Sequence, residues 1–361
     1  MIQSAYIHIP FCKQICAYCD FFRCGYNALL AQKWLAVMSE EIKALKLEKL
    51  KTLYIGGGTP SALSMHQLEC LLKLLQPSVD TECEYTMEAN LSHLNDELLK
   101  LITSYGINRL SLGVQSFQNH LLERVGRTHR KEDVLPILER IHQHGIDNIS
   151  IDLIYGLPNQ TLEMWQEDLA YAITLPITHI SLYALTIEPN SRFAKEGVEA
   201  ADENLDADMY EYACTFLKAN GFEQYEISSF AKNQCYSKHN LCYWNYDDFY
   251  GIGCGASGKI NDVRYDNTKN FIEYLEHGAS PTLIELTTDE IKFEMIMMSL
   301  RKKEGLNLAL YQKRFNADVY QDFKDVIDQN IAKQNLMMNE KYLYASEKGF
   351  EILNDILIDF L

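Results

Sequence analysis

The chain has 361 residues, 47% of them apolar, and a formal net charge of −17, which allows a large domain with a smaller companion and a sizeable core. So acidic a chain, with no long Lys/Arg run, lacks the basic surface that nucleic acid binding needs, and no nucleic acid partner is expected. No signal peptide and no membrane span are read, so a cytoplasmic, reducing location is expected, with peripheral association at a membrane left open and the ten cysteines free or metal-bound.

Along the chain, β-rich runs alternate with helical ones. Strands are expected over residues 4–9, 52–55, 85–88, 109–114, 149–155 and 179–184. Over 33–46, Trp34, Leu35, Met38, Ile42 and Leu45 recur at helical spacing. Residues 132–144, stopped by Gly145, and 161–172 read the same way. Six strand–helix repeats imply a parallel sheet with helices outside, which right-handed crossovers curl into an open or partial barrel. A further helix over 206–219 ends at Asn220-Gly221 and leads to a strand near 224–228. Residues 232–262 are rich in aromatics and glycine and have no clean period. The chain turns helical again over 289–300, and the tail, 306–361, reads as helices with a short β element around 336–345, similar to a small winged-helix domain. The expected fold class is α/β: a partial (β/α)6 barrel over 1–230, an extension over 231–285 and a mostly helical domain over 286–361. Cys70, Cys83 and Cys214 fall on apolar or helical patterns and read as small buried residues.

In barrel-type folds, functional groups gather at the C-terminal ends of strands. Cys12, Cys16 and Cys19 follow the first strand with spacing C-x3-C-x2-C, and no fourth cysteine follows at a short regular interval. Iron–sulfur clusters are usually held by four thiolates; three in a compact loop hold three irons of a [4Fe–4S] cluster and leave the fourth open to a small molecule. The alternatives are unrelated thiols or a structural zinc site, but zinc wants two separated ligand pairs and no second C-x2-C exists here. Gly56-Gly57-Gly58-Thr59-Pro60 follows the second strand. It lets backbone approach a ligand, and it is neither a P-loop nor a Rossmann turn; an ordinary turn is the alternative. Glu88 and Asn90 end the third strand, Gln115 and Ser116 the fourth, and Asp152 lies on the fifth.

Together these features resemble the radical S-adenosylmethionine (SAM) superfamily and, within it, the oxygen-independent coproporphyrinogen III oxidase family. The resemblance runs over nearly the whole chain and rests on Tyr6-Ile-His-Ile-Pro-Phe-Cys12…Cys19-Asp-Phe, Gly56-Gly-Gly-Thr-Pro60, Glu88-Ala-Asn90, Ser111-Leu-Gly-Val-Gln-Ser-Phe117, Asp152-Leu-Ile-Tyr-Gly-Leu-Pro158 and Tyr225-Glu-Ile-Ser-Ser-Phe230. It implies that Cys12, Cys16 and Cys19 ligate the cluster and that its open iron takes the amino and carboxylate groups of SAM. Electron transfer into the sulfonium would then release methionine and a 5′-deoxyadenosyl radical. By the same resemblance Tyr6 and Tyr18 flank cluster and cofactor, Gly57, Gly58 and Thr59 meet the methionine amino group, and Glu88, Gln115, Arg127, Asp152 and Ala184 hold SAM. Carboxylates suit a ribose or ammonium, and an arginine suits a carboxylate. Leu91 departs from the family, which usually has proline there.

Two branches of that family differ. The oxidases carry a further cysteine two residues after the third and an N-terminal extension. This chain has Phe21 at that position and eleven residues before Cys12; Cys24 is out of register and reads as a non-ligand thiol. His239-Asn-Leu-Cys-Tyr-Trp244 matches the H-N-x-x-Y-W pattern of the other branch, the heme chaperones of the HemW type. Histidine is a normal ligand for heme iron and aromatics pack on porphyrins, so His239 is a candidate heme ligand, with a hydrogen-bonded structural role as the alternative and Cys242 as another possible ligand. Gly251–Gly258 is a backbone-permissive stretch nearby. The resemblance therefore implies a heme chaperone using a [4Fe–4S] cluster, SAM and heme, with heme-accepting apoproteins as partners, some of them membrane-associated, and a homodimer. An electron donor such as flavodoxin or ferredoxin is implied if SAM is cleaved. The competing expectations are an oxygen-independent coproporphyrinogen III dehydrogenase, or a radical SAM enzyme with another substrate.

Overall fold

A computed structural model describes residues 2–361. Six parallel strands form its frame: β1 (Ser4–Ile9), β2 (Leu50–Gly57), β3 (Val79–Ala89), β4 (Arg109–Gln115), β5 (Asn148–Tyr155) and β6 (His179–Ala184). They lie side by side in chain order, separated in sequence by α1 (Ala28–Leu45), α2 (Met65–Leu75), α3 (Asp96–Ser104), α4 (Asn119–Val125), α5 (Lys131–Gln143) and α6 (Leu162–Ala172). After α7 (Glu203–Ala219) come two short strands: β8 (Ser229–Ala231) adds antiparallel beside β6, and β7 (Glu223–Gln224) adds antiparallel beside β8. The sheet does not close. It is an open nine-stranded sheet, ended by β7 on one side and on the other by β9 (Tyr250–Ile252), parallel to β1.

The alternation of residues along each strand explains both faces. Ala5, Ile7 and Ile9 of β1, Leu53 and Ile55 of β2, Leu110 and Leu112 of β4, and Ile149, Ile151 and Leu153 of β5 are fully buried in one apolar core. Helical residues such as Trp34 and Met38 of α1 and Leu68, Leu71 and Leu72 of α2 close the same core. The intervening positions are polar or small: Tyr6 and His8, Tyr54 and Gly56, Glu88, Ser111 and Gly113, Asp152, and Tyr183. Register aligns them across the sheet, Tyr6 with Tyr54, Glu88 with Ser111 and Gly113 with Asp152. Because side chains alternate strictly, this second face becomes a polar wall.

Helix starts follow local chemistry. The Asn27 side chain accepts from the Leu29 and Leu30 N–H groups to open α1, and Ser64 and Gln67 form a reciprocal capping box at α2. The stretch without a clean period folds as short pieces: α8 (Lys238–Trp244), β9, and a three-stranded antiparallel sheet of β10 (Ser257–Ile260), β11 (Val263–Asp266) and β12 (Thr282–Glu285). The C-terminal region begins with α9 (Thr288–Ser299) and holds its own core, including Leu300, Leu306, Tyr311, Ile327 and Leu343. A small sheet of β13 (Leu306–Asn307), β14 (Leu336–Met338) and β15 (Tyr342–Ala345) packs within it.

Candidate functional site

A cavity of about 1010 Å³ opens over the C-terminal ends of the strands. That is at the top of the roughly 300–1,000 Å³ range of small-molecule sites, so it has room for more than one ligand. Cys12, Cys16, Cys19, Tyr6, Tyr18, Gly57, Gly58, Thr59, Glu88, Gln115, Arg127, Asp152 and Ala184 all line it. Thirteen residues named from sequence thus meet around one space.

The cysteine loop is fastened at several points. The Cys24 N–H donates to the Pro10 carbonyl (2.6 Å) and the Tyr26 N–H to that of Cys12 (2.8 Å). The Ala17 N–H donates to Val125 O (3.0 Å), while Ala17 itself is buried among Leu121, Leu157 and Phe193. The glycine turn docks directly on this loop: Gly58 N–H donates to Ile9 O (2.7 Å) and Thr59 N–H to Phe11 O (2.9 Å). A Cβ on Gly58 would lie 2.8 Å from Phe11 O and 3.0 Å from Cys12 Sγ, so only glycine fits. All ten cysteines are free thiols. Burial pushes the Cys12 thiol up and that of Cys19 to about 11, so both are neutral until a cation favours the thiolate. Among the described residues no three His, Cys, Asp or Glu side chains converge on a point that would hold a single metal ion.

Beside the loop, two carboxyls sit deep in the cavity wall. Glu88 accepts from Tyr54 OH (2.8 Å) and from the Gly57 N–H (3.0 Å). Gly56 leaves room for it, since a Cβ there would lie 2.8 Å from the carboxyl. Burial first, and Asp152 after it, push Glu88 up to about 7. Asp152 accepts from Ser111 Oγ (3.2 Å); burial raises it to about 6 against the pull of Arg109 and Arg127. Arg127 donates through Nη2 to Tyr18 OH (3.1 Å), and its buried Nε has no partner, a donor still available to a ligand carboxylate. Gly113 makes space for that guanidinium, because a Cβ would lie 2.5 Å from Nη2. Gln115 has φ +72° at a register shift in β4. A non-glycine residue held in this region stores strain, as functional sites often do.

His239 stands apart from these. It is buried at the start of α8 and does not line the cavity. Thr52 Oγ1 donates to Ser4 Oγ (2.9 Å), so His239 Nδ1 donates to Thr52 (2.9 Å) and Nε2 accepts from Tyr243 OH (2.7 Å). Its ring stacks on Tyr54, and burial lowers it to about 3, which keeps it neutral. Both ring nitrogens are engaged, so in this conformation neither is free for iron; of the same motif, Tyr243 and Trp244 reach the cavity instead. Cys242 is buried and also misses the cavity lining, as does Cys24. Cys83 is buried as expected, whereas Cys70 and Cys214 are half-exposed.

Several lining residues were not anticipated. His8 Nε2 donates to the Phe22 carbonyl (2.8 Å) and its Nδ1 accepts from Tyr6 OH (3.0 Å); its two-residue offset from Tyr6 already placed it on the same strand face. Arg264 comes from a stretch where no period marked it, and Met297 and Met298 from the helix expected over 289–300, where nothing in the sequence set them at a site.

Comparison with known proteins identifies relatives along the whole chain. The radical SAM superfamily matches residues 6–172 and the HemN C-terminal domain matches residues 286–352. The chain is 38% identical to a protein named heme chaperone HemW from Lactococcus lactis, over 99% of this chain and 97% of the relative. It is 36% identical to the Bacillus subtilis protein of that name (100% and 99%) and 32% identical to the Escherichia coli one (99% and 98%). Among solved structures, coproporphyrinogen III oxidase (HemN) from Escherichia coli superposes with a TM-score of 0.87 at 23% identity, over 99% of this chain and 89% of the other. At that identity the likeness speaks for the fold.

Proposed function

The chain belongs to the HemW family of radical SAM proteins, and on that premise we propose that it binds heme and passes it to apo-hemoproteins, without converting coproporphyrinogen III. The observation that carries the reading is full-length identity of up to 38% with proteins named heme chaperones. Phe21 supports it: at the position where the oxidases have a further cysteine, this side chain is 70% exposed at the cavity rim and offers no thiol.

In this reading Cys12, Cys16 and Cys19 hold a [4Fe–4S] cluster, which when bound supplies an electron to SAM. The chain's own residues do the positioning. Gly57, Gly58 and Thr59 bring backbone close to the methionine amino group. Arg127, with its free Nε donor, pairs with a carboxylate. Glu88 and Asp152 accept from ribose or ammonium donors once ionised. Tyr6, Tyr18, Gln115 and Ala184 complete the wall and exclude water. If SAM is cleaved, a flavodoxin- or ferredoxin-type donor supplies the electron. No helix among the described residues is long and apolar enough to cross a membrane, so contact with a membrane-bound acceptor is peripheral.

The test is anaerobic cluster reconstitution followed, on one preparation, by heme titration and a coproporphyrinogen III assay. Stoichiometric heme uptake without decarboxylation is expected. Formation of protoporphyrinogen IX would overturn the reading and favour the dehydrogenase.

A further inference from the structure

Part of the cavity lining has no role so far. It is made by Trp244 at the end of α8, Tyr246, Arg264 of β11, Lys269, and Met297 and Met298 of α9. This wall is built, not incidental. Tyr246 OH donates to Glu294 Oε2 (2.6 Å), and Arg264 Nη1 pairs with Glu294 Oε1 (3.1 Å). Trp244 carries the Arg301 guanidinium 5.8 Å from its ring centre, and its buried indole N–H has no partner. On α9, Ile291, Met295 and Ile296 sit in the C-terminal core, and half-buried Met297 and Met298 pack against that core and also reach the cavity.

Heme asks a site for three things: apolar or aromatic surface for the ring, cations for two propionates, and a ligand for iron. Trp244 and Tyr246 offer the first. Arg264 and Lys269 offer the second, and Lys269 takes part in no ion pair among the described residues. For the third, the side chains lining the cavity leave few choices. The cysteines are assigned to the cluster. His8, the one histidine in the lining, has both nitrogens engaged, as does His239 outside it. The phenols of Tyr243, Tyr246 and Tyr265 are each hydrogen-bonded, to His239, Glu294 and Gly251. The Tyr183 phenol also lines the cavity, on β6 in the sheet wall; among the side chains of α8, β11 and α9, what remains is thioether sulfur, a soft donor that ligates heme iron well.

We propose that a thioether of the Met297–Met298 pair ligates the heme iron, in a pocket where Trp244 and Tyr246 supply the ring's apolar surface and Arg264 and Lys269 receive its propionates. The proposal rests on the heme-transfer reading and deepens it.

The test uses full-length, cluster-reconstituted protein loaded with hemin, read by near-infrared magnetic circular dichroism, where a ferric iron–thioether bond gives its own charge-transfer band. The variants are M297L, M298L, the double variant and H239A; Leu conserves the volume of Met. Wild type is expected to show the band. The double variant is expected to lose it, with heme affinity lower by about tenfold or more, which is about 1.4 kcal/mol. If the double variant fails to fold, the two single variants carry the test, since loss of the band in one identifies the ligand. A wild-type spectrum without the band, or a band that survives in both single variants and in any folded double variant, overturns the proposal. So does a band-free imidazole spectrum abolished by H239A. Those outcomes leave heme binding intact, whereas a wild type that takes up no heme defeats the heme-transfer reading itself.

Discussion

Glu88→Gln should change how SAM binding depends on pH. Glu88 sits among Tyr54, Tyr6, Asp152, Tyr243 and Arg109, and burial holds its carboxyl at about 7. If only the ionised carboxylate accepts from SAM, roughly ten in eleven molecules are competent at about pH 8 and roughly one in eleven at about pH 6. Affinity in wild type therefore falls about tenfold over that span from this group alone, or about 1.4 kcal/mol. Gln removes the titration and also a charge-assisted hydrogen bond worth about 1.5–3 kcal/mol at high pH. Asp152, at about 6, leaves a residual change of about twofold in both proteins. The amino group of SAM titrates in the same range, so the readout is the ratio of wild-type to variant affinity, measured by anaerobic calorimetry on reconstituted protein. That ratio should fall by about tenfold between about pH 8 and about pH 6. A ratio independent of pH would refute the assignment of Glu88 to SAM, or the claim that burial holds its proton.

Three further outcomes are expected. Gly58→Ala should lower the iron content and cluster absorbance of the reconstituted protein, because the new Cβ meets Phe11 O and Cys12 Sγ; Gly25→Ala, with nothing within 4 Å of its Cβ, should retain them. Arg127→Lys should weaken SAM binding by roughly tenfold to a hundredfold, the worth of a charge-assisted pair, with normal iron content, as checked by calorimetry and iron assay. Asp168 is fully buried and accepts from Ser116 Oγ (2.6 Å) and the Phe117 N–H (3.0 Å), directly after strained Gln115. Asp168→Ala should therefore cost about 1–3 kcal/mol in urea unfolding and loosen SAM as well; an unchanged unfolding midpoint would refute the clamp.

Much of this was legible in the sequence, for reasons that differ by segment. The bounds of β1 and β6 coincide with the expected 4–9 and 179–184, because β-branched and aromatic runs there are closed by proline or polar turns. β3 begins at Val79, six residues before the expected start, since its first turns are solvent-facing Asp80, Thr81 and Glu82, which carry no strand pattern. The six strand–helix repeats require α2 without setting its bounds, although Ser64 and Gln67 write its capping box into the sequence. The wall from the later segments was legible only in pieces: Trp244 stands in the H-N-x-x-Y-W pattern, and Met297 and Met298 fall in the helix expected over 289–300. Residues 243–298 reach it through elements of three to twelve residues whose partners lie far away in the chain, so only packing brings them together. His239 shows how a motif can be read correctly and its geometry missed. Four residues apart on α8, His239 and Tyr243 share one helix face, so their spacing is satisfied by a hydrogen bond to each other before any ligand is considered.

The polar wall has a physical signature that the cysteine motif does not supply. A parallel strand covered on both faces reads as a continuous apolar run, yet β1 to β6 place Tyr6, His8, Tyr54, Glu88, Ser111, Asp152 and Tyr183 at alternate positions between fully buried Ile, Leu and Met. A slip of one residue in any of these strands would bury its polar set under a helix. Such a sheet is therefore stable only if its second face encloses a solvated or ligand-filled space. The same alternation that fixes register thus commits the fold to a cavity. It also points Glu88 and Asp152 into that cavity with their protons held by burial. A ligand that brings cationic or hydroxyl donors to those carboxyls recovers a cost already built into the apo fold, so SAM should raise the melting temperature of the wild-type protein more at high pH than at low pH.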